Sequence, residues 1–409
     1  MTPLADLPRR PLAHASTFLE GIRVLDLTSS IAGPYGTQLL GDLGASVVKV
    51  ERAGLGDDAR SWGPPFLDGE SLWYLSVNRN KQGIALDYGT QEGDALLRQL
   101  VRAADVVVVN LVNRVQRKLR LDYESLRILR PDLIHASVTG FGLEGERADR
   151  PCYDLIAEGY SGVMDLTGEA GGPAQKVGTP AADLLAGQDL ALAVVAAVAR
   201  RQRTGEGACI DIALVESMTR FMSPRIVPYL GSGEIPHRSG GRDSVIAIYQ
   251  SFDTADHPLT LGLGNDGIWE RFWAAAGDLA FGRDARFATN AGRREHRPEI
   301  VARISILMKS RTRSEWLKTL AAARIPAGPI YDIARLVADP ELQERGMFYQ
   351  VDGPVGPVPQ VGLGIRFDGK ALECHRAPPR LGEHTEEVLA SWLSLERDDM
   401  DRLRMAGAL

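Results

Sequence analysis

Ile22-Arg23-Val24-Leu25-Asp26-Leu27 opens the stretch on which the fold turns. The turn Thr28-Ser29-Ser30-Ile31-Ala32-Gly33-Pro34 follows, then a helical run from Tyr35 to Leu43 and a second apolar run, Ser46-Val47-Val48-Lys49-Val50-Glu51. Two short β-branched runs around a helix-length segment read as strand, helix, strand. Outward from this unit the alternation continues. Glu92 to Ala104 reads as an amphipathic helix feeding a strand at Asp105 to Asn110, and Leu133 to Val138 reads as another strand. Such alternation predicts an α/β chain whose core is a Rossmann-like, doubly wound parallel sheet.

The 409 residues exceed one compact core, which points to two or three domains. With 44% apolar and 24% charged residues the composition is that of a packed globular protein and excludes a disordered chain or a coiled coil. The net charge of -6 carries no long basic run, so neither nucleic acid nor a membrane surface is an expected partner. Three scattered cysteines, Cys152, Cys209 and Cys374, fit neither a disulfide framework nor a zinc cluster and point to a cytoplasmic protein. The start of the chain lacks the apolar core of a secretory signal. The longest apolar stretch, Leu184 to Ala199, is interrupted by Gln188 and Asp189 and reads as a buried helix shorter than a membrane span.

The texture of the chain sets expected boundaries. Residues 1–20 read as a lead-in, 21–216 as a large α/β domain and 217–245, rich in Pro and Gly, as a linker. Residues 246–330 read as a small α+β domain, with strands at Ile246 to Phe252 and Leu259 to Leu263. Residues 331–409 read as a return linker and a C-terminal segment that completes the large domain.

Chemistry is narrowed first by elimination. The turn after the first strand lacks GxGxxG and contains Pro34, placed by its missing N–H at the first helical position, so a nicotinamide dinucleotide is not expected. Seven scattered histidines, none paired four apart on a helix, argue against a metal. No GxSxG elbow is present, and the isolated thiols read as packing residues. What remains is Asp183, just ahead of a long apolar helix in Thr179-Pro180-Ala181-Ala182-Asp183-Leu184. By propensity it is an N-cap; by setting it is also a candidate catalytic carboxylate.

Taken together, several segments resemble the class III CoA-transferases, the family of formyl-CoA, carnitine and succinyl-CoA transferases. They include Leu25-Asp26-Leu27 with Ala32-Gly33-Pro34, Val48-Lys49-Val50-Glu51, Asn78-Arg79-Asn80-Lys81, Ser137-Val138-Thr139-Gly140-Phe141-Gly142, Tyr153-Asp154, Asp183, Thr204-Gly205-Glu206-Gly207 and Ile325-Pro326-Ala327-Gly328-Pro329. The resemblance runs from about Gly21 to about Leu395. It implies that Asp183 is the catalytic nucleophile, attacking an acyl-CoA to form a mixed anhydride and then an aspartyl-CoA thioester. It further implies CoA contacts by Ser30, Ile31, Ala32, Arg52, Lys81, Asn110, Lys118 and Phe141. Tyr153, Arg238 and Arg242 fall where the acids would lie.

The expected partners are an acyl-CoA and a small carboxylic acid, with no permanently bound cofactor and no metal. An interlocked homodimer is implied by the resemblance alone. Ile31 stands where several relatives carry glutamine, which speaks against a specifically oxalate-handling enzyme, and Ser239-Gly240-Gly241-Arg242 is the nearest feature to the four glycines of formyl-CoA:oxalate enzymes, so formyl-CoA transfer is disfavoured. A racemase of the same fold would need a histidine at Tyr153, whose phenol has an ordinary pKa near 10 and is a poor base. A non-catalytic CoA-binding protein is the further alternative.

Overall fold

The computed structural model describes residues 3–409; Met1 and Thr2, the beginning of the expected lead-in, lie outside them. Two compact units emerge. The first joins the chain up to Gly162 with Val177–Ser223 and Val337–Leu409; the second comprises Val163–Lys176 and Pro224–Leu336.

The first unit is built on six strands: β1 (Arg23–Leu27), β2 (Ser46–Glu51), β3 (Lys81–Ala85), β4 (Val106–Val109), β5 (Ile134–Thr139) and β6 (Ala208–Ala213). All neighbours are parallel, in the order β3-β2-β1-β4-β5-β6. Leu25 stands opposite both Val48 and Val107, and every residue of β4 is buried. That continuous burial explains why the run is valine throughout, since a parallel sheet is covered on both faces. The strand order reverses between β1 and β4. Ligands of open α/β sheets bind at such a reversal, outside the carboxyl ends of the strands.

Helices of this unit include α1 (Ala32–Asp42), α2 (Gln91–Ala103), α3 (Asn113–Leu119), α4 (Asp154–Ser161), α5 (Ala181–Thr204) and α6 (Leu214–Phe221). Helices α1 and α5 pack against each other. Their approach is close enough that a Cβ on Gly36 would lie 2.5 Å from Leu190 Cδ2 and 2.7 Å from the Gly187 carbonyl. Only glycine fits there. Because α1 starts at Ala32, Pro34 is its third residue and not its first; a proline is still tolerated, because the first-turn N–H groups have no partner within the helix. Helix α5 spans 24 residues, which is long enough to cross a membrane, but it buries Ala182, Ala186, Leu190, Val194 and Val198 along one face. Leu192 lies exposed on another. The helix expected to be buried thus buries one side.

The second unit holds α7 (Ser223–Ser232), α8 (Asp266–Ala275) and an antiparallel sheet in the order β9-β8-β7, formed by β7 (Tyr249–Phe252), β8 (Leu259–Gly262) and β9 (Ala327–Pro329). Its core gathers Trp269, Phe272, Trp273, Phe287, Ile304 and Trp316. Residues 217–245, expected as a linker, are largely helical: α6 and α7 run through them, with Pro228 inside α7. The expected strand from Ile246 begins only at Tyr249. Val245 and Ile246 donate their N–H groups to Asp243 Oδ1 instead, closing a turn.

The returning tail makes the hairpin β10 (Phe348–Gly353) and β11 (Gly356–Val361), then α9 (Thr385–Leu393). Val388 and Leu389 of α9 join Leu25, Val48, Leu97 and Leu100 in the core of the first unit. Burial of each such side chain stabilises by about 1.5–3 kcal/mol.

Candidate active site

The carboxyl edge of the sheet at the strand reversal is shaped by a buried ion network. Asp26, at the end of β1, accepts from the hydroxyls of Thr28 and Thr37 and, at 3.0 Å, from Lys81 Nζ. Lys81 is completely buried and donates also to the Pro34 carbonyl and to Asn78 Oδ1, each at 2.8 Å. All three of its hydrogens are used inside the protein. The lysine expected to hold CoA is thus the counterion of Asp26, with none left for a phosphate. Burial alone would raise the Asp26 pKa, but Lys81 and Lys49, with the two hydroxyls, outweigh it and hold the carboxyl well below the usual range.

Lys49 Nζ donates to the Thr28 carbonyl and to Asp57 Oδ2, both at 2.8 Å. Asp57 Oδ1 in turn accepts from the Ser30 N–H at 2.9 Å. Ser30 has φ 69°, a left-handed conformation that L side chains disfavour. Lys49 and Asp57 hold it there, and Asn110 completes the clamp by accepting from Ser29 N at 3.1 Å and donating to its carbonyl at 2.8 Å. The structure therefore brings Ser30, Ile31, Ala32 and Asn110 together at one edge, with the N-terminus of α1 uncapped by any side chain. Lys49 and Asp57 escaped the sequence reading, although Lys49 stood within a quoted motif.

Asp183 is the third residue of α5, not its N-cap. The N-cap is Pro180, which has no side chain to offer. Its place is taken by Asp154 of α4, whose Oδ1 accepts from Ala182 N at 2.8 Å and from Asp183 N at 3.4 Å. Asp183 is half-buried, and burial first and the Asp154 charge second push its pKa up to about 7. The helix start that would ordinarily favour its anion is overridden. Cys152 lies within reach of the same field; burial and then Asp183 raise its thiol to about 11. Pro180 and Leu184, which bracket Asp183 in sequence, line a cavity of about 330 Å³ together with Ile31, Pro65, Trp73 and Ser76. Its walls are mainly apolar.

The remaining expected residues are dispersed. Arg52, just past β2, is exposed and pairs with Asp58. Lys118 is exposed on α3. Phe141, after β5, meets Tyr160 of α4 edge-on at 5.0 Å. Tyr153 is exposed. In the second unit, Arg238 Nη1 donates to the Asp165 carboxylate and carbonyl, both at 2.8 Å, so it is held by the protein. Arg242 is exposed and lines a cavity of about 650 Å³ with Gly240, Tyr249, Gln250 and Thr260.

A doubly wound sheet with a clamped loop at its strand reversal, and a poorly solvated carboxyl beside an apolar cavity, has the form of an α/β enzyme that takes up a nucleotide-bearing substrate. Residues 19–385 match the model of CoA-transferase family III. Over 401 residues the chain is 40% identical to the succinate–glutarate CoA-transferase of Agrobacterium fabrum, a match covering 96% of this chain and 99% of the relative. Over 395 residues it is 34% identical to the succinyl-CoA:glutarate CoA-transferase of Mus musculus, covering 96% and 90%. A solved structure of a CaiB/BaiF family protein from Brucella suis matches with a TM-score of 0.81 at 38% identity, covering 93% of this chain and 100% of that one. The chain belongs to CoA-transferase family III and is a CoA-transferase.

Proposed function

We propose that the enzyme moves CoA from succinyl-CoA to a dicarboxylic acid of glutarate size, with Asp183 as the nucleophile. The choice of acids rests on the names of the relatives. The observation that carries the nucleophile is the state of Asp183: half-buried, lifted to about 7, and paired with no cation among the described residues. A carboxylate stripped of water and of a counterion is a stronger nucleophile than one in solution.

In the first step an Asp183 oxygen attacks the thioester carbonyl, the C–S bond breaks, and CoA leaves as a thiolate. The thiolate then attacks the Asp183 carbonyl of the anhydride, releasing succinate and leaving an aspartyl-CoA thioester. The acceptor carboxylate repeats the two attacks in reverse order, which restores Asp183. Carboxylate and thioester suffice for every step, so no resident cofactor enters.

The CoA is placed by the loop of Ser30, Ile31 and Ala32, where the uncapped N-terminus of α1 offers N–H groups to a phosphate. Arg52 and Lys118 supply mobile positive charge, and Asn110 and Phe141 border the nucleotide. The apolar cavity at Ile31 and Leu184 suits the pantetheine arm. Tyr153 flanks the acyl group. Lys81 is left out of the binding set.

A second copy of the chain covers the apolar side chains that α4, α5 and α6 leave exposed: Leu155, Ile156, Tyr160, Leu192 and Phe221. The three free cysteines suit the cytosol.

The test is transfer of CoA from succinyl-CoA to labelled glutarate by Asp183→Ala and Asp183→Asn, with hydroxylamine added to trap the wild-type intermediate. Loss of transfer in both variants and a hydroxamate on Asp183 are expected. Undiminished transfer by either variant contradicts the assignment.

A further inference from the structure

A carboxylate in the first turn of a helix ordinarily draws on the unpartnered N–H groups there and on the helix dipole, both of which favour its anion. In this chain two of those donors, the N–H groups of Ala182 and Asp183, are already engaged. Asp154 Oδ1 accepts from Ala182 N at 2.8 Å and from Asp183 N at 3.4 Å, and Asp154 comes from a different helix, α4.

We propose that Asp154 is a positioning residue for the nucleophile: it fastens the first turn of α5 and withholds from the Asp183 carboxyl the N–H donors that would otherwise solvate it. The proposal rests on the reading of Asp183 as nucleophile. It makes the helix start work in an unusual way. A position that should yield a placid, well-solvated anion instead presents a carboxyl whose ionisation is costly and whose attack is correspondingly favoured.

Among the described residues no other neighbour accounts for the effect. Of the elements packed on α5, α1 brings Tyr35, β5 brings His135, β6 brings Cys209 and Asp211, and α6 brings Glu216 and Arg220. Arg220 is paired with Asp189, and Asp211 accepts from Leu143 N. On α4, Glu158 accepts from Val177 N. Besides burial, Asp154 is what raises Asp183, while Cys152 responds to Asp183 and stays protonated at neutral pH.

Three variants test the assignment, read by the pH profile of kcat/KM between pH 5 and 9, with KM, kcat and the thermal midpoint measured alongside. Asp154→Asn keeps an oxygen on the helix N-terminus but removes the charge; its acid limb is expected to move down by about one pH unit. Asp154→Ala removes both, with loss of kcat exceeding the change in KM. Asp154→Glu, which keeps charge and acceptor, is expected to return the acid limb toward the wild-type position. Should Asp154→Asn fail to fold, Asp154→Ser offers an uncharged acceptor to the same N–H groups and carries the same test.

A purely structural role lowers the thermal midpoint and leaves the acid limb in place. An unmoved limb in the folded, uncharged variant overturns the proposal. If Asp183→Ala is inactive while that limb stays fixed, only the role of Asp154 fails; if Asp183→Ala still transfers CoA, the nucleophile assignment fails first.

Discussion

Replacing Asp183 by asparagine should make the folded chain more stable, and increasingly so as the pH rises. The pKa of this carboxyl is raised from 3.8 to about 7 by burial and by Asp154. A group whose folded pKa lies above its unfolded one contributes stability that is complete below about 3.8 and drains away as pH climbs through about 7. At 1.36 kcal/mol per unit, the roughly three-unit shift sets a ceiling of about 4 kcal/mol on the cost of ionising Asp183 in the folded state. Its partial solvent contact cuts this to roughly 2–4 kcal/mol. Asparagine fills the same space and never ionises, so it escapes the cost. Urea unfolding of wild type and Asp183→Asn at pH 5, 6.5 and 8.5, with equal m-values required, reads the difference directly. The advantage of the variant should grow by about 2 kcal/mol across that range and level off above pH 8. A pH-independent difference, or a variant less stable than wild type at pH 8.5, would refute the claim that the site stores the cost of a buried charge.

Other outcomes follow from the same geometry. Lys81→Met strands Asp26 without its nearest ammonium, and a loss of about 3–5 kcal/mol is expected in the unfolding midpoint; intact stability with a raised KM for acyl-CoA would return Lys81 to the substrate site. Arg52→Ala removes an exposed guanidinium whose pairing with Asp58 is a surface contact. Stability should change by less than about 0.5 kcal/mol, whereas KM for the CoA thioester should rise about tenfold. Gly36→Ala drives a methyl to 2.5 Å from Leu190 Cδ2, and the thermal midpoint should fall as about 1–3 kcal/mol is lost; an unchanged midpoint would contradict the close packing of α1 on α5.

What the sequence disclosed depended on whether a signal was local. Strand β2 begins and ends where the apolar run does, at Ser46–Glu51. Strand β3 was hidden because Lys81, Gln82 and Gly83 carry no apolar period, and its pairing with β2 is a long-range fact. The hairpin β10–β11 was masked by Pro and Gly residues that ordinarily mark linkers. The site divides in the same way. Asp183 was recognisable as a carboxyl just before an apolar helix, which locally reads as an N-cap, and its reading as nucleophile came from the family resemblance. The role of Lys81 was not, because a lysine inside a motif looks the same whether it faces a phosphate or a buried Asp26. Asp154 stood beside Tyr153 in the quoted motif, yet nothing local announces that its carboxyl closes a helix that begins at Ala181.

The decisive measurement follows oxygen. If Asp183 attacks and is regenerated through two anhydrides, turnover of succinyl-CoA with a dicarboxylic acceptor labelled with oxygen-18 in its carboxylates must leave the heavy isotope in the Asp183 side chain. Mass spectrometry of the peptide spanning Asp183 should show that gain after turnover and none when succinyl-CoA is omitted. Full turnover with an unlabelled peptide would mean that the acceptor meets the thioester directly, and the covalent account would fall.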